Sequence, residues 1–188
     1  MEYKYDLEKC LEVLKNGGII LYPTDTIWGL GCDATNETAV EKIIQLKKRP
    51  SQKSFVVLVA EEKDILKYTA TPDLAIFDYL QVQKRPVTVI YKHAIGIAEN
   101  AIAKDDSVAM RICKDAFCKA LIKRFRKPIL STSANFSGEN APALFQEIKE
   151  EIIGGVDYTV HYRREEVEAG QASMIIEWEM GEVKIIRG

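Results

Sequence analysis

A chain of 188 residues in which 26 Lys and Arg face 28 Asp and Glu carries a formal net charge of -2, with 47% apolar and 29% charged residues. That balance suits one compact domain over 1–188 and excludes disorder, a solenoid and any global drive toward nucleic acid or lipid, so an anion site has to come from local clustering. Met1-Glu2-Tyr3-Lys4-Tyr5-Asp6 lacks the apolar core of a leader, and no apolar run reaches the ~20 residues of a membrane helix, which predicts no membrane partner and a cytoplasmic compartment.

Leu7, Leu11 and Leu14 recur at helical spacing, with Cys10 and Val13 beside them, until Asn16-Gly17-Gly18 supplies a stop. Ile19-Ile20-Leu21-Tyr22 reads as a buried strand that Pro23 ends. Asn36 is a good N-cap for a second helix that turns Val40, Ile43, Ile44 and Leu46 inward and ends close to Pro50; its last turn presents Lys47 and Arg49 to whatever lies beyond. Phe55 to Val59 and Val87 to Tyr91 are β-rich runs with a helix around Pro72 to Leu80 between them, and Val108 to Ile112 leads into a helix from Asp115 to Phe125. Pro128-Ile129-Leu130-Ser131 reads as a further strand, followed by a polar loop to Pro142 and a helix to Ile153. Two closing strands, Ser173 to Trp178 and Val183 to Ile186, flank the turn Met180-Gly181. This is the order of an α/β domain, a sheet flanked by helices, and the closing hairpin makes the sheet mixed rather than purely parallel.

Cys10, Cys32, Cys113 and Cys118 contain no C-x-x-C pair, and His93 and His161 stand far apart, so buried thiols are expected and neither a disulfide framework nor a protein metal site. Pro23-Thr24-Asp25-Thr26 exposes two hydroxyls and a carboxylate at the end of a buried strand, where open α/β sheets hold ligands; the same residues also suit a self-satisfied Asx or Ser/Thr turn. Gly29 and Gly31 beside it let the backbone approach a ligand closely.

Lys47, Lys48, Arg49 and Lys53 gather around Pro50, either as a solvated cluster on a helix C-terminus or as fixed cations for a triphosphate. No Walker loop, dinucleotide fingerprint or G-x-S-x-G is present. In Ser131-Thr132-Ser133, strand alternation sends Ser131 and Ser133 to one side, and Asn135 follows in a loop with free backbone donors. Arg111 interrupts the apolar strand Val108-Ala109-Met110-Arg111-Ile112 and needs an anion there, a structural carboxylate or a substrate's.

In this order, P-T-[DE]-T-x-[YW]-G-L at Pro23 to Leu30, K-x-R-P at Lys47 to Pro50, V-x-x-R at Val108 to Arg111 and S-x-S-A-N-x-S-G at Ser131 to Gly138 resemble the YrdC family. These are the threonylcarbamoyl-AMP synthases that begin the t6A modification of tRNA, and the resemblance runs from Gly17 to Ile186. It implies a YrdC-like twisted mixed β-sheet flanked by helices around a concave basic cavity. It also implies the conversion of L-threonine, bicarbonate and ATP to threonylcarbamoyl-AMP and pyrophosphate, with Mg2+ on the triphosphate and a separate tRNA threonylcarbamoyl transferase complex downstream.

By position, the resemblance makes Thr26, Arg111 and Ser131 the threonine contacts. Lys47, Arg49, Lys53, Ser107, Ser133, Asn135 and Arg187 become the ATP-facing set, and no residue acts as a covalent catalyst. Asp25 is placed to meet Mg2+ through water. Departures from the family pattern stand at Ala141, Cys113, Met174 and Lys84-Arg85-Pro86. YciO-type paralogues tend to lose the K-x-R-P and S-A-N elements, which this chain keeps. The alternative reading is a double-stranded RNA or tRNA binding module of the same fold, held by phosphate contacts without synthase activity.

Overall fold

The computed structural model describes residues 2–48 and 55–188. Helix α1 (Lys4–Lys15) buries Leu7, Cys10 and Leu14 on one face and leads into the fully buried strand β1 (Ile20–Tyr22). Strand β2 (Gly29–Asp33) precedes α2 (Glu37–Leu46), whose N-cap Asn36 accepts from the Ala39 amide at 3.1 Å through Oδ1. Next come β3 (Val56–Val59), α3 (Glu62–Tyr68), α4 (Ala75–Val82), β4 (Val87–Tyr91) and β5 (Val108–Ile112). Helix α5 (Ala116–Phe125) starts on Asp115, which accepts from the Phe117 and Cys118 amides. Strand β6 (Ile129–Ser133), helix α6 (Glu150–Gly154) and strands β7 (Tyr158–Thr159), β8 (Met174–Glu179) and β9 (Glu182–Arg187) complete the chain.

The strands form a 9-stranded sheet in the order β7-β1-β2-β6-β3-β5-β4-β8-β9. The β1–β7, β3–β5 and β4–β8 pairs are parallel and the others antiparallel, so the mixing runs through the whole sheet rather than arising only at the closing hairpin. That hairpin turns on Met180 and Gly181, both at positive φ (49° and 83°), the backbone a tight turn between twisted strands demands.

Three elements carry no clear sequence signal: β2, α3 and β7. The expected helix from Pro142 to Ile153 is broken into a 3-10 turn at Phe145–Glu147 and the short α6. The Glu147 carboxylate folds back onto the Ala143 and Leu144 amides at 2.7 and 3.2 Å, and Ile148 is extended, which stops the first turn before α6 can start.

Gly29 and Gly31 belong to β2 and serve the sheet. A Cβ on Gly31 would stand 2.6 Å from the ring of Tyr22 and 3.1 Å from Ile129 Cγ2, so this glycine makes room for a fully buried aromatic. Gly29 does bring backbone close to a site group, since its Cβ would lie 3.0 Å from Ser131 Oγ. All four cysteines are free, buried thiols. Asp6 ties α1 to the chain after β7, accepting from the Tyr158 phenol at 2.6 Å and from the His161 and Tyr162 amides at 2.9 Å. Burial alone would raise its pKa, but these hydrogen bonds outweigh it and hold the carboxyl below its usual 3.8. Among the described residues no helix is long and apolar enough to cross a membrane.

Candidate functional site

A cavity of about 250 Å3 opens where β2, β6, β3 and β5 lie side by side, and Thr26, Arg111, Ser131, Ser133 and Arg187 all line it. Sheet register explains the grouping. Ser131 pairs with Gly31 on one side and Val56 on the other, Ser133 pairs with Gly29, and Arg111 pairs with Leu58 one strand further on. Period-2 alternation then sends both serines to the cavity face.

Arg111 is 6% exposed, and its NH2 lies 3.1 Å from Asp25 Oδ1 and donates to Thr26 Oγ1 at 3.2 Å. A structural carboxylate therefore neutralises this buried cation. The Asp25 contact is an ion pair without hydrogen-bond alignment, and the other Asp25 oxygen accepts from the Lys114 amide at 3.2 Å. Asp25, whose side chain is also 6% exposed, is thus committed to Arg111 and the Lys114 amide ahead of α5 and does not suit a hydrated metal ion. Arg111 Nε remains: it is buried and has no hydrogen-bond partner among the described residues. A buried donor left unmade costs about 1–3 kcal/mol, which a ligand carboxylate in the cavity would recover.

The Pro23–Thr26 turn is both of the things its sequence allows. Thr24 Oγ1 donates to the Ile27 carbonyl at 2.7 Å and accepts from the Thr26 amide at 3.1 Å, as a Ser/Thr turn does. With that proton spent, the 2.9 Å contact between the two hydroxyls has Thr26 as donor, and Thr26 Oγ1 in turn accepts from Arg111. Thr26 therefore meets a ligand as an acceptor, which suits an amine rather than a carboxylate. Beneath it the fully buried Tyr22 phenol lies beside Ser131 and Arg111; burial pushes its pKa well above 10 and keeps it neutral.

The other expected site residues are placed differently. Lys47 is 1% exposed and donates through Nζ to the carbonyls of Ser133 and Asn135, both at 2.5 Å, while its own carbonyl accepts from the Ser137 amide at 2.9 Å. Asn135 donates to the Phe136 and Glu139 carbonyls at 3.0 and 2.8 Å. The pair shapes the turn after β6 and stands outside the cavity lining. Ser107, at the foot of β5, donates to Asp105 Oδ1 at 2.6 Å and is also outside that lining. Arg49 and Lys53 lie outside the described residues.

Thr24, from the turn whose hydroxyls the sequence offered, also lines the cavity, and Ser173 is a lining hydroxyl that the sequence reading did not assign to the site. Ser173 is 3% exposed, its Oγ lies 2.8 Å from Thr88 Oγ1, and its carbonyl accepts from Arg187 NH2 at 2.9 Å. Its one sequence signal is a hydroxyl immediately before an apolar strand.

A larger groove of about 380 Å3 lies between α3 and the end of α5 and shares no lining residue with the hydroxyl-lined cavity. Lys63, Lys67, Lys123 and Lys127 rim it, but each is already paired, to Glu61, Asp64, Glu61 and Asp33 respectively. The smaller cavity, with a buried cation, an unpartnered donor and converging hydroxyls, is the candidate site.

Comparison with known proteins bears on the family and the fold. Two curated relatives named threonylcarbamoyl-AMP synthase match over most of the chain. The one from Saccharophagus degradans is 38% identical over 72% of this chain and 71% of its own, and that from Idiomarina loihiensis is 32% identical over 75% and 77%. The crystal structure of P. abyssi Sua5 complexed with L-threonine superposes with a TM-score of 0.84 at 20% identity, covering 97% of this chain and 54% of that one. The chain thus has that fold and spans about half of that protein's length. A family model described as Sua5_yciO_yrdC, telomere recombination, matches residues 12–188, and the chain belongs to this family.

Proposed function

We infer that the chain is a threonylcarbamoyl-AMP synthase. The observation that carries the reading is the unpartnered Nε of buried Arg111, set beside the Thr26 acceptor at the end of a hydroxyl-lined cavity. An α-amino acid presents a carboxylate and an amine a few ångströms apart, and these two groups answer that donor and that acceptor. Ser131, which lines the same cavity, is left for the threonine hydroxyl. The synthase name of relatives that match most of the chain supports the same assignment.

In the reaction this reading implies, the threonine amine attacks bicarbonate and water leaves, giving a carbamate. A carbamate oxygen then attacks the α-phosphorus of ATP, the P–O bond to the β-phosphate breaks, and pyrophosphate departs. The chain's own part is positioning and charge stabilisation. On the nucleotide side we assign Ser133 and Arg187, which line the cavity, and Arg49 and Lys53 on motif position alone. Lys47, Asn135 and Ser107 act there through the turns and strand ends they hold. Mg2+ would arrive on the triphosphate as part of the substrate. The product would pass to a separate tRNA threonylcarbamoyl transferase complex in the cytoplasm.

A double-stranded RNA module is the less favoured reading, since the relatives carry the synthase name and the described cavity has the size of a small-molecule site. The test is mass spectrometry of the product formed from 13C-bicarbonate, L-threonine and ATP. A labelled threonylcarbamoyl-AMP is the expected product; unlabelled AMP or ADP alone would contradict the assignment.

A further inference from the structure

Arg163 is a bulky residue held in the left-handed region, at φ 69°, a conformation that costs such a side chain and persists where its contacts over-determine it. Its NH1 donates to the Thr24 carbonyl at 3.1 Å and lies 3.7 Å from Asp115 Oδ1, and its Nε is 2.6 Å from Glu166 Oε1. Asp115 is itself fixed as the cap of α5. Further along the same exposed strap, Gly170 packs closely against the Thr26 carbonyl of the turn. A Cβ there would stand 1.7 Å from Thr26 O and 2.9 Å from Thr26 C, backbone atoms with no flexible end to give way. The strap is then pinned where it enters β8, through Ser173 and its contacts with Thr88 and Arg187.

The strap therefore grips the Pro23–Thr26 turn from behind, at the carbonyls of the two residues whose hydroxyls run into Arg111. We propose that Arg163 is a positioning residue for the amino-acid half of the site, acting through this turn with Gly170 as the second grip and touching no ligand itself. The proposal rests on the reading of the site as a threonine pocket. Without the guanidinium, the turn keeps its internal Thr24–Thr26–Ile27 bonds but loses its hold on the strap and α5, so Thr26 Oγ1 and Asp25 are no longer fixed against Arg111. Ser133, on β6, makes no contact with Arg163 among the described residues, and Arg187 meets the strap only at its far end, through the Ser173 carbonyl, so the nucleotide side is expected to change much less.

The experiment compares wild type with Arg163→Gly, Arg163→Met and Arg163→Lys in steady-state synthesis, with threonine and ATP varied separately. Glycine adopts the left-handed backbone without strain, so that variant removes the side chain without straining the backbone, while Met keeps an unbranched stem and removes the charge. The expected result is a rise of about tenfold in KM for threonine in the Gly and Met variants, KM for ATP within about twofold of wild type, and partial recovery with Lys. An unchanged KM for threonine in both the Gly and Met variants overturns the proposal; so does an equal rise in both constants, the mark of a general structural defect. Threonine binding by calorimetry separates the two layers. A wild-type chain that does not bind threonine overturns the reading of the pocket and the proposal with it, whereas normal wild-type binding with an unaffected Arg163→Gly overturns the proposal alone.

Discussion

Arg111→Ala is expected to lower threonine-dependent turnover at least about 30-fold while ATP binding survives, because truncating one partner of a buried, hydrogen-bonded charge costs about 2–5 kcal/mol. Two losses combine. The ligand carboxylate loses the Nε donor, and Asp25 is left buried without its cation, which disturbs the turn that carries Thr26. Stability will fall as well, so binding has to be measured below the variant's melting temperature, with circular dichroism confirming the fold. Calorimetry should then show threonine binding lost and ATP binding within a few-fold of wild type. Threonine bound normally with ATP binding lost would mean that the two halves of the cavity have been assigned the wrong way round.

Lys47→Met is expected to cost about 3 kcal/mol of stability, since hydrogen bonds to a charged group contribute about 1.5–3 kcal/mol each and the ammonium holds two carbonyls. For a domain of 188 residues that corresponds to a fall of roughly 6–12 °C in melting temperature. Methionine preserves the unbranched stem at a position that is 1% exposed, so the effect is that of the charge and not of a cavity. ATP use should fall too, because the turn after β6 that follows Ser133 is no longer closed onto the end of α2. A variant of unchanged melting temperature that has lost only ATP affinity would make Lys47 a direct phosphate ligand and not a structural cation.

Lys47 also marks the limit of what the sequence discloses. Ser131 and Ser133 were legible because a strand has period 2, and Arg111 because a cation in an apolar strand demands an anion; both arguments are local. That the Lys47 ammonium closes on carbonyls of Ser133 and Asn135, distant in sequence, depends on where the end of α2 meets the turn after β6, which no spacing encodes. The glycines of β2 show the same limit. Gly31 looks like a ligand-approach residue until the fully buried ring of Tyr22 is seen to need its space. Ser107 follows two aspartates, and the nearer of the available explanations, a bond to Asp105, is the one the fold uses. The left-handed Arg163 was not legible at all, since its conformation follows from contacts with the Thr24 carbonyl and Asp115 that exist only in the folded chain.

The account as a whole turns on one cavity taking both an amino acid and a nucleoside triphosphate. Pyrophosphate release by the purified chain, measured with threonine, bicarbonate and ATP all present and then with each omitted in turn, tests that claim most directly. Release that requires all three is the result predicted; release from ATP that continues at the same rate without threonine would contradict it.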